Sequence, residues 1–314
     1  MKKPLIVLTG PTAVGKTKLS ISLAKAVGGE IISADSMQVY KYMDIGSAKI
    51  MPEEMQGIPH YLVDALMPDE EFHIVRFQQM AKEAMRKIYA NGHIPILVGG
   101  TGFYIQAVTR DIDFTKAEQD QEYRMSLETL AKEKGGAFLH QMLEEVDPKS
   151  AQEIHENNVK RVIRALEFYH QNGSPISAHN EEQQERVSPY NLAYFVLNAP
   201  RELLYQRIDK RVDEMLENGL VQEVKTLKSM GYHRGMVSMQ GLGYKEILAY
   251  LDGEISLEEA ERILKRDTRH FAKRQLTWFR REPETLWVNK DEFGYDDEKM
   301  LEYMLKACQE KGLL

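Results

Sequence analysis

The residues best suited to do chemistry are 10–17, Gly-Pro-Thr-Ala-Val-Gly-Lys-Thr, which match the phosphate-binding pattern G-x-x-x-x-G-K-[ST]. They follow an apolar run, 5–8, and precede a helix-forming run, 18–26, as the pattern requires. Glycines let backbone N–H groups turn toward an anion, the helix N-terminus adds its dipole, and Lys16 supplies a positive charge. Thr17 would hold a magnesium ion. The loop predicts polyphosphate binding but does not identify the phosphate or its fate.

Asp35 stands at the end of a predicted strand, where an exposed carboxylate could act as a general base or a metal partner. An Asp-Ser pair is equally typical of a turn or helix cap. Position alone leaves both interpretations open.

Two pairs of arginines have helical spacing: Arg161 with Arg164, and Arg207 with Arg211. Each pair falls on one face of its helix, and guanidinium groups that point the same way can clamp a phosphate. Solvated helix faces have the same spacing, so this pattern alone favours the solvated interpretation.

Residues 262–281 carry eight Lys and Arg against one acid, Asp267. A basic stripe at helical spacing is formed by Arg262, Arg266, Arg269, Lys273 and Arg280, and Leu264, Phe271 and Trp278 repeat every seven residues on the opposite side. The stripe is a candidate contact with nucleic-acid phosphates. A basic face exposed only to water is the alternative.

Strand-like runs at 5–8, 29–35, 60–66, 94–98 and 192–197 must position these groups, and helical spacing recurs between them, as in 72–89. This alternation predicts an α/β fold of the phosphate-loop type, with a parallel sheet and crossover helices. Ligands of such sheets bind at the carboxyl ends of the strands. We therefore expect residues 10–17, Asp35 and Thr101 to converge on one crevice.

The predicted core comprises 1–114 and 191–314, and a helical insertion domain occupies 115–190. Helices are expected at 117–134, 137–145, 148–155 and 159–171, with a helix stop at 172–175 and a solvated loop at 181–185. After Pro200 the chain reads as a helical C-terminal region, broken at 231–243 and 252–253.

The composition fits a globular protein of 314 residues, long enough for about two domains. Its single cysteine, Cys308, excludes an intrachain disulfide and a cysteine-rich zinc site. The net charge of −7 argues against a chain that is basic throughout, although a local basic surface can still bind nucleic acid. Because no apolar run approaches about 20 residues and no signal-peptide pattern is present, we expect a cytoplasmic protein without a membrane partner.

Longer segments resemble the bacterial tRNA dimethylallyltransferases, the IPP transferase family, across essentially the whole chain. The phosphate loop alone is shared with many enzymes, but Asp-Ser-x-x-x-Tyr at 35–40 and Gly-Gly-Thr-x-x-Tyr at 99–104 are far more specific. The matching segments are the loop itself, 33–40, 43–49, 98–104, 160–167, 241–244 and 272–278.

The resemblance implies transfer of a dimethylallyl group from its diphosphate to the exocyclic N6 of the adenine adjacent to the tRNA anticodon. Asp35 would be the general base, Thr101 would help orient the adenine or Asp35, and Mg²⁺ on Thr17 would help stabilise the leaving pyrophosphate. The family pattern assigns the diphosphate to Gly10, Thr12, Ala13, Val14, Gly15, Lys16, Thr17, Arg161 and Arg211.

The same resemblance implies a tRNA partner that is bound at the anticodon stem-loop, with the adenine flipped into the pocket. The expected tRNA contacts are Asp35, Ser36, Met37, Gln38, Thr101, Arg124, Lys160, Arg161, Arg164, Gln240, Gly241, Leu242, Gly243, Tyr244, Lys245, Arg266 and Lys273. Lys160 stands where many relatives carry Gln, and one cysteine cannot form the zinc finger of eukaryotic relatives.

A monomer is expected. The alternatives are a phosphate-loop small-molecule kinase, with Arg161 and Arg164 closing over ATP, and a non-catalytic RNA-binding protein.

Overall fold

The computed structural model describes residues 2–114 and 120–314. The chain separates into two compact units: Met1–Thr109 with Ser188–Leu314, and Arg110–Val187. The second unit begins and ends a few residues before the insertion predicted for 115–190.

The first unit contains a six-stranded sheet in the order β3-β2-β4-β1-β5-β6, in which every neighbouring pair is parallel. Its strands are β1 (Pro4–Thr9), β2 (Gly29–Ser33), β3 (His60–Tyr61), β4 (Ile94–Gly99), β5 (Asn191–Asn198) and β6 (Thr285–Asn289). The predicted parallel sheet is confirmed. The strand expected at 60–66 is only two residues long, because Leu62 and Asp64 adopt positive φ angles and turn the chain away.

Helices cover both faces of this sheet. They are α1 (Lys16–Val27), α2 (Ile74–Ala90), α3 (Gly102–Thr109), α9 (Arg201–Glu217), α10 (Leu220–Ser229), α11 (Tyr244–Leu251), α12 (Leu257–Phe279) and α13 (Asp297–Glu310), and the second unit holds α4 (Gln121–Lys134), α5 (Gly136–Val146), α6 (Pro148–Glu153), α7 (Val159–Asn172) and α8 (Ile176–Glu185).

Strand β1 shows why the sheet is buried on both sides. Leu5 and Val7 join one apolar core with α2, α3 and α12, whereas Ile6 and Leu8 join a second core with α1 and α13. All four side chains are fully buried. Alternating side chains therefore anchor β1, and the loop that follows it, between two helical layers.

One strand of the C-terminal region was missed by the sequence analysis. Residues after Pro200 were predicted to be helical, but β6 pairs with β5 from Tyr194–Thr285 to Asn198–Asn289. It lies at the sheet edge, and four of its five residues are only half-buried. A short edge strand of this kind leaves little apolar periodicity in the sequence.

The second unit has its own core, built from α4, α5 and α7 around Leu127, Leu143 and Leu166. Helix α7 ends as predicted at Gly173, whose φ is +66° and whose N–H donates to the Tyr169 carbonyl. The helix expected at 117–134 is described only from Gln121, since positions 117–119 lie outside the described residues.

The solvated loop predicted at 181–185 is wrong, because these residues form the end of α8. Gln183 is buried, and its side-chain oxygen accepts from the Asp113 N–H at 3.1 Å. The glutamates of this segment were read as a charged loop, but they lie on a helix anchored through one buried polar side chain.

Candidate active site

The phosphate loop links β1, a central strand, to α1. Gly10 has φ +148°, and a Cβ at this position would overlap the Leu197 carbonyl of β5. Gly15 caps α1 with φ +93°. Only glycine suits these two conformations, which lets the loop pass close to β5 and turn into the helix. The first amides of α1 then point out of the helix end, where they can bind an anion.

Lys16 lies within the loop that it was predicted to serve. Its Nζ donates to the carbonyls of Gly10 at 3.0 Å and Pro11 at 2.9 Å. The pKa of Lys16 is lowered from 10.5 to about 8, first by desolvation and then by the charge of Arg211, while Asp35 acts in the opposite direction. A desolvated ammonium beside a second cation is a favourable partner for an incoming polyanion.

Arg211 reaches the same loop from α9. Its NH1 donates to the Thr12 hydroxyl at 3.4 Å. Burial lowers the pKa of this guanidinium, and the charge of Asp35 opposes the shift. The structure thus places Lys16 and Arg211 around the phosphate loop, within electrostatic reach of Asp35.

Asp35 follows β2 and caps a turn. Its Oδ1 accepts from the backbone N–H groups of Met37 at 2.8 Å and Gln38 at 3.3 Å. Within the described chain, Oδ2 has no hydrogen-bond partner. The cap fixes the carboxyl group in place and leaves its second oxygen available, so the two interpretations of Asp35 are compatible.

Thr101 follows β4, which lies between β1 and β2 in the sheet. Its N–H donates to the Ala34 carbonyl at 3.3 Å. A Cβ at Gly99 would overlap that same carbonyl group, and the Thr9 hydroxyl donates to the Gly99 carbonyl at 2.7 Å. The ends of β1, β2 and β4 therefore lie against one another, as the sheet rule predicts.

Sequence reasoning missed two buried polar side chains at this site. Gln275 of α12 accepts from the Thr12 N–H at 2.9 Å and donates to the Gly100 carbonyl at 2.9 Å. Lys290, directly after β6, places its Nζ about 3.3 Å from where a Cβ on Gly15 would lie, and 3.6 Å from Asp297. A polar residue on the buried side of α12 was the one available signal for Gln275.

The Gln275 contact occupies one loop amide, because the Thr12 N–H donates to Gln275. The diphosphate role of Thr12 and of the other loop residues stays a prediction.

Segment 43–49 is held by a carboxylate. Glu223 of α10 accepts from the N–H groups of Asp44 at 3.0 Å, Ile45 at 2.7 Å and Gly46 at 3.1 Å. The Tyr244 hydroxyl donates to the same carboxylate at 2.8 Å, and its ring is fully buried against Gly46. The Tyr244 side chain serves this anchor and is inaccessible. The tRNA contact predicted for Tyr244 therefore does not fit its side chain.

The other predicted tRNA contacts of the first unit differ in their surroundings. Gln38 donates to the Ala48 carbonyl at 3.1 Å, and Gln240 donates to the Arg234 carbonyl. Met37 packs on Gly241, where a Cβ would overlap its methyl group, and Leu242 packs partly into the core. Lys245 lies 3.3 Å from Glu246. Ser36 is half-buried, and Gly243 is buried.

The second unit carries four of the predicted cations. Lys160, Arg161 and Arg164 are exposed on one face of α7, opposite the buried Val162, Ile163 and Leu166. Arg124 of α4 lies 3.2 Å from the buried Glu167, so its charge is partly neutralised within the unit. The diphosphate role of Arg161 stays a prediction.

Most of the basic stripe on α12 is already paired. Arg262 bonds Glu259, Arg266 bonds Asp267 at 2.8 Å, and Arg269 bonds Asp209 at 2.5 Å. The packed face was also shifted from the prediction, since Phe271 is half-buried with the Arg274 guanidinium over its ring. The buried residues of α12 are Ala260, Leu264, Ala272, Gln275 and Phe279.

The last turns of α12 instead line an open cavity of about 380 Å³. The residues around it are His270, Lys273, Arg274, Thr277, Trp278 and Arg281. Cations beside an aromatic ring suit a nucleic-acid backbone with an unstacked base. The part of the stripe that favours RNA contact is therefore the C-terminal part, around Lys273.

The residues present fit a magnesium ion held mainly by a bound diphosphate. Thr17 is exposed in the first turn of α1. Over 2–114 and 120–314, no group of three or more His, Cys, Asp or Glu side chains is placed to hold a metal ion. Mg²⁺ at phosphate sites commonly uses few protein ligands, together with phosphate oxygens and waters.

The same described ranges contain no helix with the length and apolar character of a membrane span.

Known proteins resemble this chain throughout its length. Residues 38–282 match the model of the IPP transferase family. The chain is 61% identical over 312 residues to a tRNA dimethylallyltransferase of Lachnoclostridium phytofermentans, covering 99% of each chain. It is 54% identical over 303 residues to one of Acetivibrio thermocellus, covering 96% of this chain and 97% of that one.

Solved structures show the same likeness. The full-length tRNA isopentenylpyrophosphate transferase of Bacillus halodurans is 44% identical with a TM-score of 0.75, covering 99% of this chain and 98% of that one. A eukaryotic dimethylallyltransferase acting on tRNA has a TM-score of 0.80 at 32% identity, covering 91% of this chain and 74% of that one.

Proposed function

Because this chain belongs to the IPP transferase family, we propose that it transfers the dimethylallyl group of dimethylallyl diphosphate to the exocyclic N6 of the adenine beside the tRNA anticodon. The observation that carries the proposal is the convergence of three strand ends, which bring the phosphate loop, Asp35 and Thr101 to one edge of the sheet. An anion cradle and a carboxylate on neighbouring strands suit a reaction in which a diphosphate leaves as an amine attacks.

The leaving group is assigned to the phosphate loop. Negative charge grows on the departing pyrophosphate as the carbon–oxygen bond breaks, and positive charge at that place stabilises the transition state. Lys16, Arg211 and the N-terminal amides of α1 supply it in a largely buried setting. Mg²⁺ on Thr17 would add further charge neutralisation when it is bound.

The nucleophile is assigned to Asp35 and Thr101. The adenine N6 is a weak nucleophile because its lone pair is delocalised into the ring, so loss of a proton must accompany bond formation. Oδ1 of Asp35 is held by two backbone N–H groups, which leaves Oδ2 to accept that proton. Thr101 bonds Ala34, the residue before Asp35, and its proposed role is to orient the adenine or Asp35.

The tRNA is proposed to bind at the anticodon stem-loop, with the target adenine unstacked and turned into the site. Lys160, Arg161 and Arg164 on α7 and the surface around Lys273 on α12 are the proposed backbone contacts. The proposal also includes action as a monomer in the cytoplasm, which sedimentation and cell fractionation would test.

The experiment is to incubate the protein with radiolabelled dimethylallyl diphosphate and unmodified tRNA, and separately with ATP. We expect label in the tRNA and no tRNA-independent turnover of ATP. If ATP is consumed while tRNA stays unlabelled, the chain is a kinase of the phosphate-loop class instead. Binding of tRNA without either reaction would indicate a non-catalytic RNA-binding protein.

A further inference from the structure

Gln275 joins the phosphate loop to the segment that follows β4, one residue beyond the point where the Thr9 hydroxyl bonds the Gly99 carbonyl. Its Oε1 accepts from the Thr12 N–H in the phosphate loop, and its Nε2 donates to the Gly100 carbonyl after β4, both at 2.9 Å. The residue is only 6% exposed although it is polar. Burial of a carboxamide is unfavourable unless both of its ends are hydrogen-bonded, and here both ends are.

The packing around this carboxamide leaves little freedom. A Cβ at Gly100 would overlap Nε2 of Gln275, and a Cβ at Gly102 would overlap the indole of Trp278. Both partners come from α12, three residues apart on one face of the helix. Helix α12 thus contacts the chain on each side of Thr101.

Thr101 in turn lies against the residue before Asp35, since its N–H donates to the Ala34 carbonyl. The sheet ladders join β1 to β4 and β4 to β2. A second path from the phosphate loop to Asp35 runs from Thr12 through Gln275 to Gly100, and from Thr101 to Ala34.

We propose that Gln275 is a positioning residue for group transfer, whose carboxamide holds the phosphate loop and the Thr101 segment in one fixed arrangement. The inference rests on the function proposed above. It assigns to Gln275 the alignment of the reacting carbon, held through its diphosphate, with the amine held by Asp35 and Thr101. Such alignment affects the rate of the chemical step more than the affinity for tRNA.

Two variants test this assignment. Gln275→Leu keeps the approximate volume and removes both hydrogen bonds. Gln275→Glu keeps an acceptor for the Thr12 N–H at every pH, but its carboxyl group can donate to the Gly100 carbonyl only when it is protonated. Burial raises the pKa of such a carboxyl. Glu258→Gln, an exposed change in the first turn of the same helix and away from the cavity, is the control.

In the prenylation assay we expect Gln275→Leu to lower kcat roughly tenfold to hundredfold, with the KM for tRNA within about twofold of wild type. The activity of Gln275→Glu, divided by that of wild type, should rise as the pH is lowered from about 8 to 6, because protonation restores the donor. The same ratio for Gln275→Leu should stay flat, and Glu258→Gln should retain the wild-type kcat.

An unchanged kcat for Gln275→Leu, or a pH-independent ratio for Gln275→Glu, would overturn the positioning role of Gln275. The proposed function would stand, provided that the wild-type enzyme labels tRNA. If wild type labels no tRNA, the proposed function fails instead. Calorimetry with inorganic pyrophosphate then decides the positioning role separately: roughly threefold to tenfold weaker binding by Gln275→Leu supports it, and equal binding contradicts it. If Gln275→Leu does not fold, the pH profile of Gln275→Glu decides.

Discussion

The hydroxyl of Tyr244 donates a 2.8 Å hydrogen bond to the carboxylate of Glu223, which in turn accepts from three successive backbone N–H groups, those of Asp44, Ile45 and Gly46. Burial strongly raises the pKa of this hydroxyl, and the nearby Glu223 charge adds to the shift, so Tyr244 remains a donor. The two residues anchor a loop that follows the Asp35 turn. Segments separated by almost 200 residues in the sequence thus share one buried polar anchor.

We expect Glu223→Leu to lower the free energy of unfolding by roughly 2–4 kcal/mol, because it leaves three partly buried N–H groups without an acceptor. Tyr244→Phe removes one donor and should cost only about 1 kcal/mol. Urea denaturation measures both, with the exposed change Glu217→Gln as the control. Equal losses for Glu223→Leu and Glu217→Gln would show that the anchor contributes nothing.

Asp35→Asn separates the two roles of this residue. Asparagine keeps an oxygen that can cap the turn at Met37 and Gln38 but cannot take a proton from the adenine. We expect single-turnover prenylation to fall by roughly two or more orders of magnitude, with little change in tRNA affinity. Asp35→Ala also removes the cap and should lower the free energy of unfolding by about 1 kcal/mol. A wild-type rate of prenylation by Asp35→Asn would contradict the assignment of Asp35 as the general base.

The lowered pKa of Lys16 predicts a pH dependence. Binding of the diphosphate substrate requires the charged amine, so affinity should decline as the pH rises through about 8. Unfolding does not explain such a loss. The pKa of this lysine is near 10.5 in the unfolded chain, so above pH 8 the unfolded chain binds more protons than the folded one. The contribution of Lys16 to the free energy of unfolding therefore rises with pH. Calorimetry of wild type and Lys16→Arg at several pH values tests this. A decline of equal size in both would assign it to another group.

Salt dependence of tRNA binding distinguishes the two parts of α12. Lys273 is exposed beside the cavity at the end of the helix, whereas Arg266 is paired with Asp267. We expect Lys273→Ala to weaken binding and reduce the slope of log K against log salt by about 0.7–0.9, and Arg266→Ala to change it less. Filter binding at several salt concentrations gives both slopes. The reverse order would place the RNA on the N-terminal part of the helix.

Much of the sheet could be predicted because continuous apolar runs such as that of β1 mark strands buried on both faces. The same runs located the phosphate loop, Asp35 and Thr101 at strand ends. Strand β6 was missed because it is a half-buried edge strand, and α8 because its charged residues resemble a solvated loop.

The supporting contacts of the site were beyond sequence reasoning. Gln275 and Thr12 are 263 residues apart, and no local pattern indicates that they meet. Ion pairs such as that of Arg269 with Asp209 also depend on how two helices pack, so a basic stripe in the sequence was partly neutralised in the fold. Periodicity predicts which face of a helix is buried, but not which partner it meets there.

The most direct measurement of the central claim is to count products in one reaction with dimethylallyl diphosphate and unmodified tRNA. Mass spectrometry of the digested tRNA would quantify N6-dimethylallyl adenosine beside the anticodon, and an enzymatic assay would quantify pyrophosphate. We expect equal amounts of the two products and no inorganic phosphate released by the protein. Phosphate release, or pyrophosphate without a modified adenine, would contradict transfer through cleavage of the carbon–oxygen bond.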